Sequence, residues 1–100
     1  MADLIILYWR DIPAQVIVKK GRANAKRELS VRFSEAIDMA AMRSGDTTTD
    51  DYLAEWRKAD PVAVWDDLDA EAEKAAAALE VEYPRERLVA LAKAGGKENG

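Results

Sequence analysis

Leu4-Ile5-Ile6-Leu7-Tyr8-Trp9, Arg10-Asp11-Ile12-Pro13 and Ala14-Gln15-Val16-Ile17-Val18-Lys19-Lys20 follow one another at the start of the chain, and their reading decides the fold. The first run is apolar throughout, of strand length, and rich in β-branched and aromatic residues. Unbroken apolarity points to burial on both faces, so a central strand is expected. Pro13 breaks the run, and the short connection makes 4–9 and 14–20 an antiparallel hairpin. Ile6 and Ile17 are expected to be largely buried. Gly21 ends the second strand.

Outward from the hairpin the period changes. Residues 22–28 read as a basic connector. Leu29 to Phe33 alternates and could form a third strand, but Ser30 also suits a helix N-cap. Phe33, Ala36, Ile37, Ala40 and Ala41 then recur at helical spacing, with Gly45 as the stop. Thr48 with Asp51 resembles a capping box, opening a short helix that carries Tyr52, Leu53 and Trp56 and stops before Asp60-Pro61. Residues 62–65 read as a short strand or an extended connector. Asp66 or Asp67 caps a longer helix with the stripe Leu68, Ala72, Ala75, Ala76, Leu79 and Tyr83. Pro84 opens a last helix with Leu88, Val89, Leu91 and Ala92 on its apolar side. The expected fold is therefore α+β: an antiparallel β-hairpin, with room for a third short strand, packed against three to four helices. Residues 1–94 form one domain, and 95–100 a flexible C-terminal tail.

Composition narrows the chemistry. The chain has 100 residues, no cysteine and no histidine. Disulfides, a thiolate nucleophile, histidine-based triads and most transition-metal sites are excluded. The serines and threonines lack an activating base, no Ser-x-x-Lys occurs, and no glycine-rich phosphate loop is present. The acidic group Asp66, Asp67, Asp69, Glu71 and Glu73 matches no calcium loop and suits a helix N-terminus. No cofactor and no catalytic residue is expected.

Charge is uneven. Residues 1–45 carry eight basic side chains against five acidic ones, and residues 46–100 carry seven against fourteen. Lys19, Lys20, Arg22, Lys26, Arg27 and Arg32 crowd into 14 residues. They read as an anion- or partner-binding surface, or as a solvated strand end that discourages aggregation. Arg10, Arg32 and Arg57 each adjoin an aromatic residue and are candidates to rim a ligand pocket. The candidate surface is thus Arg10, Lys19, Lys20, Arg22, Lys26, Arg27, Arg32 and Arg57. A protein partner is expected, a second copy of the chain among the options. An anionic small ligand is the alternative. Nucleic acid is disfavoured by the net charge of −4. No apolar run is long enough to span a membrane and no signal-peptide n-region opens the chain, so a cytoplasmic protein is expected.

The opening hairpin, the segment Arg32-Phe33-Ser34-Glu35-Ala36-Ile37-Asp38-Met39-Ala40-Ala41-Met42-Arg43-Ser44-Gly45 and the segment Asp51-Tyr52-Leu53-Ala54-Glu55-Trp56-Arg57 together resemble the small bacterial "virulence factor" domain proteins of alphaproteobacteria. The same domain resembles a part of the conserved virulence factor C proteins. The resemblance covers roughly residues 3–93. It implies an accessory role beside corrinoid- and folate-dependent methyl-transfer enzymes of one-carbon metabolism. It carries over no catalytic residues.

Overall fold

The computed structural model describes residues 1–44 and 49–97. Strand β1 (Ala2–Trp9) and strand β2 (Ile12–Lys20) form the expected antiparallel hairpin. The turn is only Arg10-Asp11, with Arg10 at φ 54°. Pro13 is not the turn maker; it lies within β2, opposite Tyr8, where the register shifts between Leu7 and Tyr8. A bulge is where a strand tolerates a proline, because the ladder is already interrupted there.

The sheet is larger than a hairpin. Strand β3 (Ala23–Glu28) pairs antiparallel with β2, so the expected basic connector is an edge strand. Helical tolerance of Ala, Asn, Lys and Arg lost to ladder pairing across the Gly21 turn, where φ is +59°. Strands β4 (Trp56–Lys58) and β5 (Val62–Val64) both pair with β1, giving five strands. Residues 62–64 are thus strand. Trp56 is also strand, opposite Trp9, and not the end of a helix. A three-residue strand leaves no periodicity to read, and its pairing is decided by β1. The expected Gly45 stop and the Thr48–Asp51 capping box lie outside the described residues.

Helix α1 (Val31–Ser44) begins after Ser30, as the N-cap reading expects. Helix α2 (Thr49–Ala54) is short. Helix α3 (Leu68–Glu82) is capped by Asp67, whose Oδ1 accepts from Ala70 N at 3.2 Å. Helix α4 (Arg85–Lys93) follows Pro84. The architecture is α+β.

Register separates the two faces of the sheet. Cross-strand partners share a face, and successive residues alternate. Ala2, Leu4 and Ile6 share theirs with Val16, Val18 and Ala25. Here α3 packs, and Ala2, Val16, Val18, Ala25, Ala72 and Leu79 are buried. Burying each valine contributes on the order of 1.5 kcal/mol. Ile5 pairs with Ile17 on the other face. Ile6 and Ile17, expected to be largely buried, are both partly buried, and they point to opposite sides of the sheet. Phe33, Ala36, Ile37, Ala40 and Ala41 of α1 complete the core with Leu88, Leu91 and Ala92 of α4.

Gly95 and Gly96, expected in a frayed tail, are packed. Asp11 N donates to Gly96 O at 2.8 Å, and Gly96 N to Leu91 O at 2.8 Å. Gly96 lies against the Trp9 indole at φ +88°.

Candidate functional site

The structure divides the candidate cations into those already paired and those left free. Arg10 is nearly enclosed, with 11% of its side chain exposed. Its Nη1 donates to Gly95 O at 2.7 Å, its Nε lies 3.3 Å from Glu55 Oε2, and its guanidinium covers Trp9. It staples the β1–β2 turn to the C-terminal residues and to Glu55. Arg32 serves α3. Its Nη2 donates to Glu80 O and Tyr83 O, which satisfies carbonyls at the helix end, and pairs with Glu80 at 2.9 Å. Glu80 also accepts from Ser30 N and Oγ, joining the start of α1 to the end of α3. Arg57 donates from Nε to Arg10 O, pairs with Asp11, and stacks on Tyr8. Arg27 pairs with Asp69, and Lys20 with Asp66. The hydrogen bond from Lys20, helped by the N-terminal ammonium, holds the Asp66 carboxyl below the usual carboxylate range.

Lys19, Arg22 and Lys26 remain. All three are exposed and make no ion pair among the described residues. They meet where β2 turns into β3. The open face of the sheet, away from α3, shows how. Its rows, read across β3, β2 and β1, are Asn24–Lys19–Asp3, Lys26–Ile17–Ile5 and Glu28–Gln15–Leu7. Lys58 lies opposite Leu7 on the same face and is also unpaired among the described residues. Ile5 is 6% exposed although it stands apart from the main core, so its neighbours cover it on this face.

Three concavities are described. The first, about 500 Å³, lies between Leu7 and Gln15 of the sheet, Trp56, and Val31, Ser34 and Ile37 of α1. The second, about 310 Å³, runs between α1 and α4 along Arg32, Ala36, Met39, Leu88 and Val89. The third, about 290 Å³, is polar and lined by Tyr8, Asp11, Arg57, Ala59 and Tyr83. Burial pushes the Tyr8 phenol up, and the Arg57 guanidinium opposes that rise. No one of these concavities contains Arg10, Arg32 and Arg57 together. Among the described residues no three carboxylates gather in a metal-holding arrangement.

Sequence reasoning missed Asn24, Glu28 and Lys58 as members of the basic face. Reading 22–28 as a strand would have found the first two: Asn24, Lys26 and Glu28 alternate with the small residues Ala23 and Ala25. No local signal marks Lys58.

No helix is long and apolar enough to cross a membrane among the described residues. No curated protein and no solved structure matches the chain. A family match does exist, and it runs from Leu7, near the end of β1, through β2 and the described helices to Ala92. With residues 7–92 matched, the chain belongs to the Virulence factor family.

Proposed function

We propose that this protein is a non-catalytic protein-interaction module that docks an acidic protein surface at the β2–β3 end of its sheet. The observation that carries the reading is the trio Lys19, Arg22 and Lys26, without an ion pair among the described residues, whereas the other candidates Arg10, Lys20, Arg27, Arg32 and Arg57 are paired. Unpaired surface cations contribute little to stability, yet they steer and hold an oppositely charged partner. The composition agrees, since a chain without histidine or cysteine lacks the usual general base and nucleophile.

The alternative implied by the family resemblance is a ligand-holding subunit of a corrinoid- or folate-dependent methyl-transfer system. It needs Arg10, Arg32 and Arg57 around one anionic ligand. Each of these is engaged in its own staple, so no observation favours that reading.

The test uses immobilised poly-glutamate as the acidic probe. Wild-type protein should bind at low salt and release as salt approaches about 1 M, where the screening length falls to about 3 Å. Lys19→Glu/Arg22→Glu/Lys26→Glu should remain folded and lose binding. Equal binding by the triple variant, or tighter binding to duplex DNA than to poly-glutamate, would overturn the proposal.

A further inference from the structure

The mode of contact can be taken further from the ladder geometry of β3; this step rests on the interaction reading above. Leu29 N donates to Ala14 O at 3.1 Å, in the same register that pairs Gln15 with Glu28. Ala14 and Leu29 are therefore a hydrogen-bonded pair, and such pairs alternate along an antiparallel ladder. Ala23, Ala25 and Arg27 direct their N–H and C=O toward β2. Asn24, Lys26 and Glu28 direct theirs outward, away from the sheet. The same alternation holds across β1, where Ile6 O turns to β4 and accepts from Ala59 N.

An outward row of this kind is a template for one more strand. Six residues present about 20 Å of edge. On the opposite side of the sheet β4 and β5 have three residues each and are separated by Pro61. The outward carbonyl of Lys26 is held in the free chain by Arg27 Nη1 at 2.9 Å, an exposed contact. Ala23 and Ala25 leave the edge low, and Asn24, Lys26 and Glu28 are exposed.

From this we infer that β3 takes up an acidic extended segment of a partner protein as a sixth strand. Backbone bonding to Asn24, Lys26 and Glu28 supplies the docking, and charge supplies the selection. The incoming strand gains from carboxylates on the open-face side near Lys26 and the Arg22 turn, and gains nothing from one at the Glu28 end. A second copy of the chain is a poor occupant for this edge. Two β3 strands, each with Arg22 beside it, Lys26 and Arg27 against one Glu28, bring like charges together.

The experiment uses the full chain and an end-blocked peptide of alternating Glu and Val, with the Lys–Val peptide as control. Binding should slow hydrogen exchange at the Asn24, Lys26 and Glu28 amides and leave the buried ladder amides unchanged. Asn24→Pro removes an outward N–H and no ladder bond, so the fold is kept. It should weaken the Glu–Val peptide about fivefold, the loss of one net hydrogen bond. If Asn24→Pro fails to fold, the Glu–Val peptide methylated at alternate backbone nitrogens makes the same test on wild-type protein. Unchanged affinity in either arm, no protection of the three amides, or equal binding of the Lys–Val peptide would overturn the inference. So would a peptide-free dimer that Asn24→Pro dissolves. Loss of binding in the triple charge reversal together with full binding by Asn24→Pro would leave the interaction reading standing and remove only the strand addition.

Discussion

Replacing Gly96 by alanine should destabilise the fold more than replacing Gly21. Both glycines have positive φ, +88° and +59°, where a side chain is strained. That backbone cost is about 1–2 kcal/mol at either position. The surroundings differ. A Cβ on Gly21 meets nothing within 4 Å. A Cβ on Gly96 would lie 2.8 Å from Trp9 Cζ3 and 3.3 Å from both Trp9 Cε3 and Arg10 Cδ. The indole is fully buried and cannot swing aside, so overpacking adds about 1–3 kcal/mol. The two hydrogen bonds through Gly96, to Leu91 O and from Asp11 N, are at risk as well. Gly96→Ala should therefore cost about 2–5 kcal/mol in total and Gly21→Ala about 1–2 kcal/mol. Urea unfolding followed by tryptophan fluorescence reads the midpoints of both variants. Equal midpoints would refute the reasoning, because they would mean that Gly96 is not held against Trp9.

Other perturbations discriminate among the remaining claims. Leu79→Ala should lose about 2–4 kcal/mol in chemical denaturation, whereas the exposed Glu73→Ala should change stability by less than about 0.5 kcal/mol. Arg32→Met should lower the thermal midpoint by loosening the end of α3, while Lys26→Met should leave it unchanged. The Asp66 carboxyl is held low, so its contribution is present above the ordinary carboxylate range and lost as pH falls through its own lowered midpoint; Lys20→Met should raise that midpoint in an NMR titration. The Tyr8 phenol is held high by burial, so its contribution is whole below the free-phenol value and lost as pH rises through its own raised midpoint; Arg57→Met should push its ultraviolet titration higher still.

Much of the fold was legible from residues 1–20 and 66–92, where the pattern is long. The apolar run 4–9, the β-branched run Val16-Ile17-Val18 and the stripe Leu68 to Tyr83 each carry enough residues for the element to be read. What escaped reading was short or decided at a distance. β4 and β5 are three residues each and exist because β1 offers them an edge. Ile6 and Ile17 are equally apolar, but only the pairing of Ile17 with Ile5 tells which face each takes. The candidate site was legible as a concentration of charge and not as an arrangement. Nothing in the spacing of Arg10, Arg32 and Arg57 reveals that their partners are Glu55, Glu80 and Asp11, up to 48 residues away and in another element.

The division of labour between cations follows from their chemistry. A thin core without disulfides must hold its corners by polar contacts, and those corners are backbone carbonyls: Gly95 O, Glu80 O, Tyr83 O and Arg10 O. The guanidinium suits that task, since its flat array of donors can bond a carbonyl, pair with a carboxylate and lie on an aromatic ring together. Arg10, Arg32 and Arg57 each do all three. Lysine, a hydrated point charge on a flexible stem, makes a weaker staple but remains available to a partner. Lys19 and Lys26 stand without an ion pair beside the long edge whose backbone groups point outward, and the Arg22 guanidinium beside them bonds no carbonyl among the described residues. The staples fix the β1–β2 turn and the ends of α3 and α4, whereas β3 is held chiefly by β2 and α3 and leaves Asn24, Lys26 and Glu28 exposed for contact.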